Sequence, residues 1–119
     1  MTQASMTTHA VTEKYFELSN ASKLDEVFLL FASDATYSSD NTGLFFGLED
    51  IKEMMTNFFA SFPKLHWEVH SIELKSEHIA EVEFTLRAHN EVGETIERRG
   101  IERLVVVAEK IRHIEVRNL

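Results

Sequence analysis

The sequence predicts a cone-shaped α+β fold, with three N-terminal helices packed on a strongly curved antiparallel or mixed sheet that encloses a pocket. Three observations predict it. Apolar residues recur mostly at helical spacing ahead of the single proline, Pro63, and at a spacing of two after it. The later strands change phase partway along, which implies bulges, and bulges bend sheets. The length of 119 residues suits one domain with one core. Residues 1–119 are therefore expected to form a single domain, with 1–7, small and polar, as a flexible tail.

The first helix is expected over Thr8–Asn20, where Val11, Tyr15 and Leu18 share a face at i, i+4 and i+7. Thr8 or Thr12 offers a cap. A second helix is expected over Lys23–Phe31, because Leu24, Val27, Phe28 and Phe31 form a stripe, with Asp25 and Glu26 favourably placed in the first turn. Thr36 and Tyr37 favour a strand over Asp34–Ser39, which runs into the turn-forming Ser-Asp-Asn-Thr-Gly segment ending at Gly43. Leu44–Phe46 reads as a short apolar strand.

Beyond Gly47, Ile51, Met54, Met55, Phe58, Phe59 and Phe62 line a long third helix over Leu48–Phe62, stopped by Pro63. Leu65, Trp67 and Val69 then alternate, and Ile72 and Leu74 continue in the opposite phase, so a bulge is expected near His70 and Ser71. Ala80, Val82, Phe84, Leu86 and Ala88 alternate with polar residues, giving that strand one buried and one polar face. A turn follows at Asn90–Glu94. Thr95–Glu109 and Ile111–Asn118 are the last two strands, hinged at Glu109–Lys110, and Gly100 marks the place of a second bulge.

With 20 acidic and 12 basic side chains the net charge is -8, which repels phosphate backbones and anionic lipid. Nucleic acid and membranes are not expected partners. The longest apolar run, Leu104–Ala108, is too short to cross a bilayer, and Met1–His9 lacks the order of a secretory signal, so a cytoplasmic location is expected. The absence of cysteine excludes disulfides and thiolate chemistry. Six histidines suggest a metal, but His66 and His70 would lie about 13 Å apart on a regular strand. No pair has the spacing of a zinc site, so neither metal nor cofactor is expected.

Three segments carry a resemblance: T-E-K-Y-F-E-L-S-N-A-S-K-L-D-E-V around Tyr15, L-F-A-S-D-A-T-Y from Leu30 to Tyr37, and G-L-E-D-I-K-E-M-M from Gly47 to Met55. Together, and in this order, they resemble the nuclear transport factor 2-like superfamily, which contains ketosteroid isomerases and SnoaL-like polyketide cyclases. The resemblance spans the chain and implies the cone fold. Function in such a fold rests on the pocket. In isomerase-like members a tyrosine on the first helix and an acid on a late strand donate hydrogen bonds to a carbonyl oxygen, while a second carboxylate moves the proton. The late-strand acid of those enzymes is kept neutral by its apolar surroundings, which is what lets it donate. By this resemblance Tyr15 takes the tyrosine position, and Glu102 in G-I-E-R-L takes the acid position. Ser39 stands at the base position, with Asp40, the nearest carboxylate, one residue along and so directed to the other face. Tyr15, Glu102 and Asp40 are the candidate catalytic residues.

Glu102 stands out on physical grounds as well, because it shares a face with Leu104 and Val106, and an isolated carboxylate there must be neutral, paired or near water. It is either a neutral acid in the pocket or the partner of Arg98, Arg87 or another arginine, unless Gly100 shifts the register and exposes it. Tyr15 is either a donor to ligand or a core tyrosine bonded to a neighbour. Phe31, Tyr37, Phe58, Phe59, Trp67 and Phe84 are the candidate pocket walls. Asp34 reads as a structural carboxylate accepting backbone hydrogen bonds at the turn into the strand.

The expected function is binding of a small apolar molecule, with isomerase-, cyclase- or dehydratase-type acid–base chemistry on a carbonyl compound. The alternative is a non-catalytic dimeric binding or interaction module. A hydrolase of the epoxide-opening kind ranks third, since no Asp-Arg-Asp cluster can be assembled from the spacing. Because Leu104–Ala108 is apolar on both faces, it needs cover on both, and a homodimer through the outer sheet face is expected.

Overall fold

The structure is a computed structural model and describes residues 7–119, so the expected tail lies outside the described residues except for Thr7. Thr7 is not tail. Its hydroxyl accepts from the Ala10 amide at 3.0 Å and caps α1 (Thr8–Asn20). Neither Thr8 nor Thr12 fills that role, because their hydroxyls donate to the carbonyls of Glu77 and Thr8. At the other end Ser22 adopts a left-handed φ of 56°, and the Ser22 and Lys23 amides donate to the Ser19 and Leu18 carbonyls, closing the helix.

The expected second helix is cut short. α2 (Leu24–Phe28) is barely more than one turn, and β1 (Phe31–Ser39) already begins at the last residue of the helical stripe. Phe31 satisfies either period, and pairing with Ile111 of the last strand settles the choice in favour of strand. β2 (Gly43–Phe46), α3 (Leu48–Ser61), β3 (Lys64–Ser76), β4 (Ile79–His89), β5 (Thr95–Val107) and β6 (Lys110–Asn118) complete the chain within two residues of expectation.

The six strands form one sheet in the order β2-β1-β6-β5-β4-β3. Every neighbouring pair is antiparallel except β1 and β6, so the sheet is mixed. The sheet is strongly curved and open, and the helices pack against one face, α1 over β3, β4 and β5 and α3 over β1 and β2. The β3 register shifts between Val69 and Ser71, where the apolar alternation changes phase. Ala108 and Glu109 turn β5 into β6, both with positive φ, as a two-residue hairpin turn of this hand requires.

Gly100 is not a bulge. Pairing runs unbroken through it, opposite Phe84 and Asn118, and the shift on this strand falls instead between Val105 and Val106. The glycine serves a close approach. A Cβ at this position would sit 2.7 Å from Phe84 Cζ and 2.9 Å from the Arg117 carbonyl oxygen.

The core lies between the helices and the inner sheet face and contains Val11, Val27, Ile51, Leu104, Ile111 and Ile114, all fully buried. The outer face is a lattice of ion pairs. Arg103 bridges Glu81 and Glu115, Arg87 bridges Glu68 and Glu97, and Arg99 meets Glu83. No helix is long and apolar enough to cross a membrane among the described residues.

Candidate functional site

One end of the inner sheet face stays open under α3, and a cavity enters there. The part of it that the centre of a water molecule can reach is about 60 Å³. The walls follow from the periodicities already described. Met54, Met55, Phe58 and Phe59 face it from α3, and Trp67, Phe84, Leu86 and Val116 face it from β3, β4 and β6. Of the six expected pocket walls, five are there. Phe31 is the exception: its ring packs edge-on behind Tyr15, 6.0 Å between centroids, in the core.

Trp67 is held in place from α1. The Asn20 side chain accepts from the Trp67 amide at 2.8 Å and donates to the Trp67 carbonyl at 2.9 Å, completing on the free edge of β3 the pattern a further strand would make.

Tyr15, Tyr37 and Glu102 line the cavity together, and Ser19, Ser39, Asn41 and Thr42 add further uncharged polar groups to its walls. Glu102 is 3 % exposed, and burial raises its carboxyl to about 8, against a smaller downward pull from the Tyr15 hydroxyl. At about 8 the carboxyl keeps most of its proton at neutral pH. Tyr15 and Tyr37 are pushed well above the usual phenol range, by burial first and by the neighbouring Glu102 second. Glu102 Oε2 has no hydrogen-bond partner, although the atom is buried. Such an atom costs on the order of 1–3 kcal/mol unless something in the cavity meets it.

The alternative of an arginine partner for Glu102 does not hold. Arg87 points outward to Glu68 and Glu97. Arg98 does share the inner face, but it stands four residues away on β5, roughly 13 Å along the strand. The gap at Gly100 is filled by the Phe84 ring, which comes between acid and guanidinium. Gly100 thus has a part in the site: without a side chain there, Phe84 can lie across β5 and keep Glu102 dry.

Asp40 is not brought to this cavity. Tyr37 and Ser39 line it, and the next residue steps to the other side. The Asp40 carboxylate accepts from the Asn118 amide at 3.0 Å and lies 3.9 Å from Arg117, exposed at the end of β6. Among the described residues no other carboxylate lines the cavity besides Glu102, so its walls hold no Asp-Arg-Asp cluster. Asp34, expected to bind backbone, is exposed and meets Arg112 at 3.2 Å. Among the described residues no three metal-ligating side chains gather. Arg98 is a cavity residue that the sequence suggests only as an ion-pair partner, and its place on the Glu102 face, two strand repeats away, is the signal that could have found it.

The sequence matches the SnoaL-like domain family over residues 12–114. The chain belongs to this family. As a SnoaL-like domain it shares its architecture with many solved structures. An NTF2-like protein from Anabaena variabilis is 20 % identical, with a TM-score of 0.84 over 100 % of this chain and 94 % of that one. AclR from Streptomyces galilaeus, a proposed hydroxylase, is 18 % identical with a TM-score of 0.80, covering 94 % and 88 %. A proposed polyketide cyclase from Pseudomonas putida is 14 % identical with a TM-score of 0.80, covering 94 % and 91 %. At these identities the likeness is one of fold. Comparison with curated proteins gives no sequence match.

Proposed function

We propose that this SnoaL-like domain binds a small apolar carbonyl compound, whose oxygen accepts hydrogen bonds from Tyr15 and from the neutral Glu102 carboxyl. The observation that carries the reading is the buried, unpartnered Oε2 of Glu102 at the end of an apolar cavity. A neutral carboxylic acid and a phenol are both donors, and donors in a water-poor site stabilise negative charge that develops on a carbonyl oxygen. Ser39 at the expected base position cannot take a proton from carbon at neutral pH. The chemistry this supports is polarisation of the carbonyl, with Glu102 as the acid of an isomerase-, cyclase- or dehydratase-type reaction in which water takes the proton of an already acidic C–H, since among the described residues the cavity walls hold no second carboxylate.

The test uses aryl ketones and the matching hydrocarbons that lack the carbonyl. Bound ketone is expected to show its carbonyl stretch moved to lower frequency, with the shift reduced in Tyr15→Phe and Glu102→Leu. Each substitution should weaken ketone binding by about tenfold, the value of one hydrogen bond. Equal affinity for ketone and hydrocarbon would reject the reading.

A second reading, a dimeric module without catalysis, is favoured by the tightness of the cavity, which is far below the few hundred Å³ of ordinary ligand sites. Its interface would be the outer sheet face, where Val107 is 43 % exposed beside Val105. Sedimentation should then give a dimer at micromolar concentration and a monomer for Val105→Glu, whereas a monomeric native chain would remove this reading.

A further inference from the structure

Arg98 is the arginine for which the protein itself supplies no counter-charge. Among the described residues Arg87, Arg99, Arg103, Arg112 and Arg117 each meet at least one carboxylate. Arg98 meets none, in a chain with an excess of eight negative charges. It is also the only cationic side chain among the described residues that lines the cavity, and it is partly buried there.

The sheet register places it. Trp67, Leu86 and Arg98 face one another across β3, β4 and β5, and Val82, Glu102 and Val116 do the same across β4, β5 and β6, four residues deeper. The row between them is closed by the Phe84 ring over Gly100. By burial the cavity runs from the donors Tyr15 and Glu102 at the inner end, past apolar rings, to a more exposed end where a guanidinium stands beside an indole and Asn41 and Thr42 add uncharged polar groups. A cation that is partly desolvated and unpaired is costly, and a second unpartnered group, Glu102 Oε2, lies at the opposite end.

We infer that the natural ligand is an apolar acid, with an anionic group held by Arg98 at the mouth and a carbonyl oxygen held by Tyr15 and Glu102 at the inner end. This rests on the carbonyl-binding reading of the same cavity and adds the substrate class to it. The guanidinium fork suits a carboxylate, to which it donates two parallel hydrogen bonds, and Leu86 and Trp67 would shield the pair from water. The separation sets the ligand's form: the two polar groups sit at opposite ends of an elongated apolar body, and the cavity of about 60 Å³ must widen by movement of the Met54, Met55 and Phe58 side chains to admit it.

The experiment titrates the full chain with a series of phenyl ketones that bear a carboxylate on tethers of increasing length, each beside its uncharged methyl ester, with binding followed by Trp67 fluorescence. One tether length should bind as acid about ten- to a hundredfold more tightly than as ester, the range for a charge-assisted hydrogen bond. Arg98→Met should erase that preference, so that acid binds no more tightly than ester in the variant, and Arg98→Lys should recover only part of it. Glu102→Leu should weaken acid and ester alike. Esters that bind as well as the acids would overturn the inference while the carbonyl-binding reading survives. Failure of every acid and ester to bind would overturn both. A preference for acid that persists in Arg98→Met would place the anion elsewhere and overturn the role of Arg98.

Discussion

Glu102→Gln changes the proton inventory of the fold without changing its shape, and the cost of the wild-type carboxyl can be worked out. Burial carries it from 4.5 to about 8. Between those values the unfolded chain has released the proton while the native chain retains it, so stability falls as pH rises, by up to about 1.4 kcal/mol per pH unit. The contribution is intact below the unfolded value of 4.5 and is lost by the time the pH has passed the folded value of about 8. Integrated, the loss is roughly 3 kcal/mol at about pH 7 and nearly 5 kcal/mol at about pH 9. Glutamine carries no such proton, and every other titration cancels in the comparison of the two chains. The stability of Glu102→Gln relative to wild type should therefore rise by about 4 kcal/mol from about pH 5 to about pH 9. Urea unfolding followed by Trp67 fluorescence measures it at each pH, with an equal slope in urea as the check that both chains unfold alike. A difference that stays flat within about 1 kcal/mol would refute the reasoning, since it would mean that Glu102 ionises in the native state as freely as in the unfolded one.

Gly100→Ala should destabilise the fold by about 1–3 kcal/mol, because the new methyl meets both the Phe84 ring and the Arg117 carbonyl oxygen. Phe84→Leu in the same chain should relieve only part of this in thermal melts, as the backbone contact remains; full additivity of the two changes would show that they do not touch. Asn20→Ala removes both hydrogen bonds to the Trp67 backbone and should cost about 1–3 kcal/mol. It should also change the emission of the single tryptophan, and an unaltered melting curve and spectrum would show that the clamp holds nothing.

Much of this fold is legible from single-residue periodicity because its strands are long and each has one wet face. Glu81, Glu83 and Arg87 against Ala80, Val82 and Leu86 fix which side of β4 is inside, and pairing then carries that decision to its neighbours. Phe31 shows where periodicity fails, since an apolar residue at the junction of two periods belongs to whichever element finds a tertiary partner. The site divides in the same way. Glu102 is visible in the sequence because an acid among Leu104 and Val106 breaks its own pattern, and Asp40 can be doubted because strand parity turns it away from Ser39. What parity cannot show is a side chain crossing from one strand onto the next. Phe84 lies over Gly100, and this non-local contact separates Arg98 from Glu102 and leaves both without a charged partner. On the sequence alone the two look like an ion pair with a bland structural role. The ring between them leaves two unpaired polar groups at opposite ends of one apolar cavity, and that disposition calls for a ligand with two polar ends.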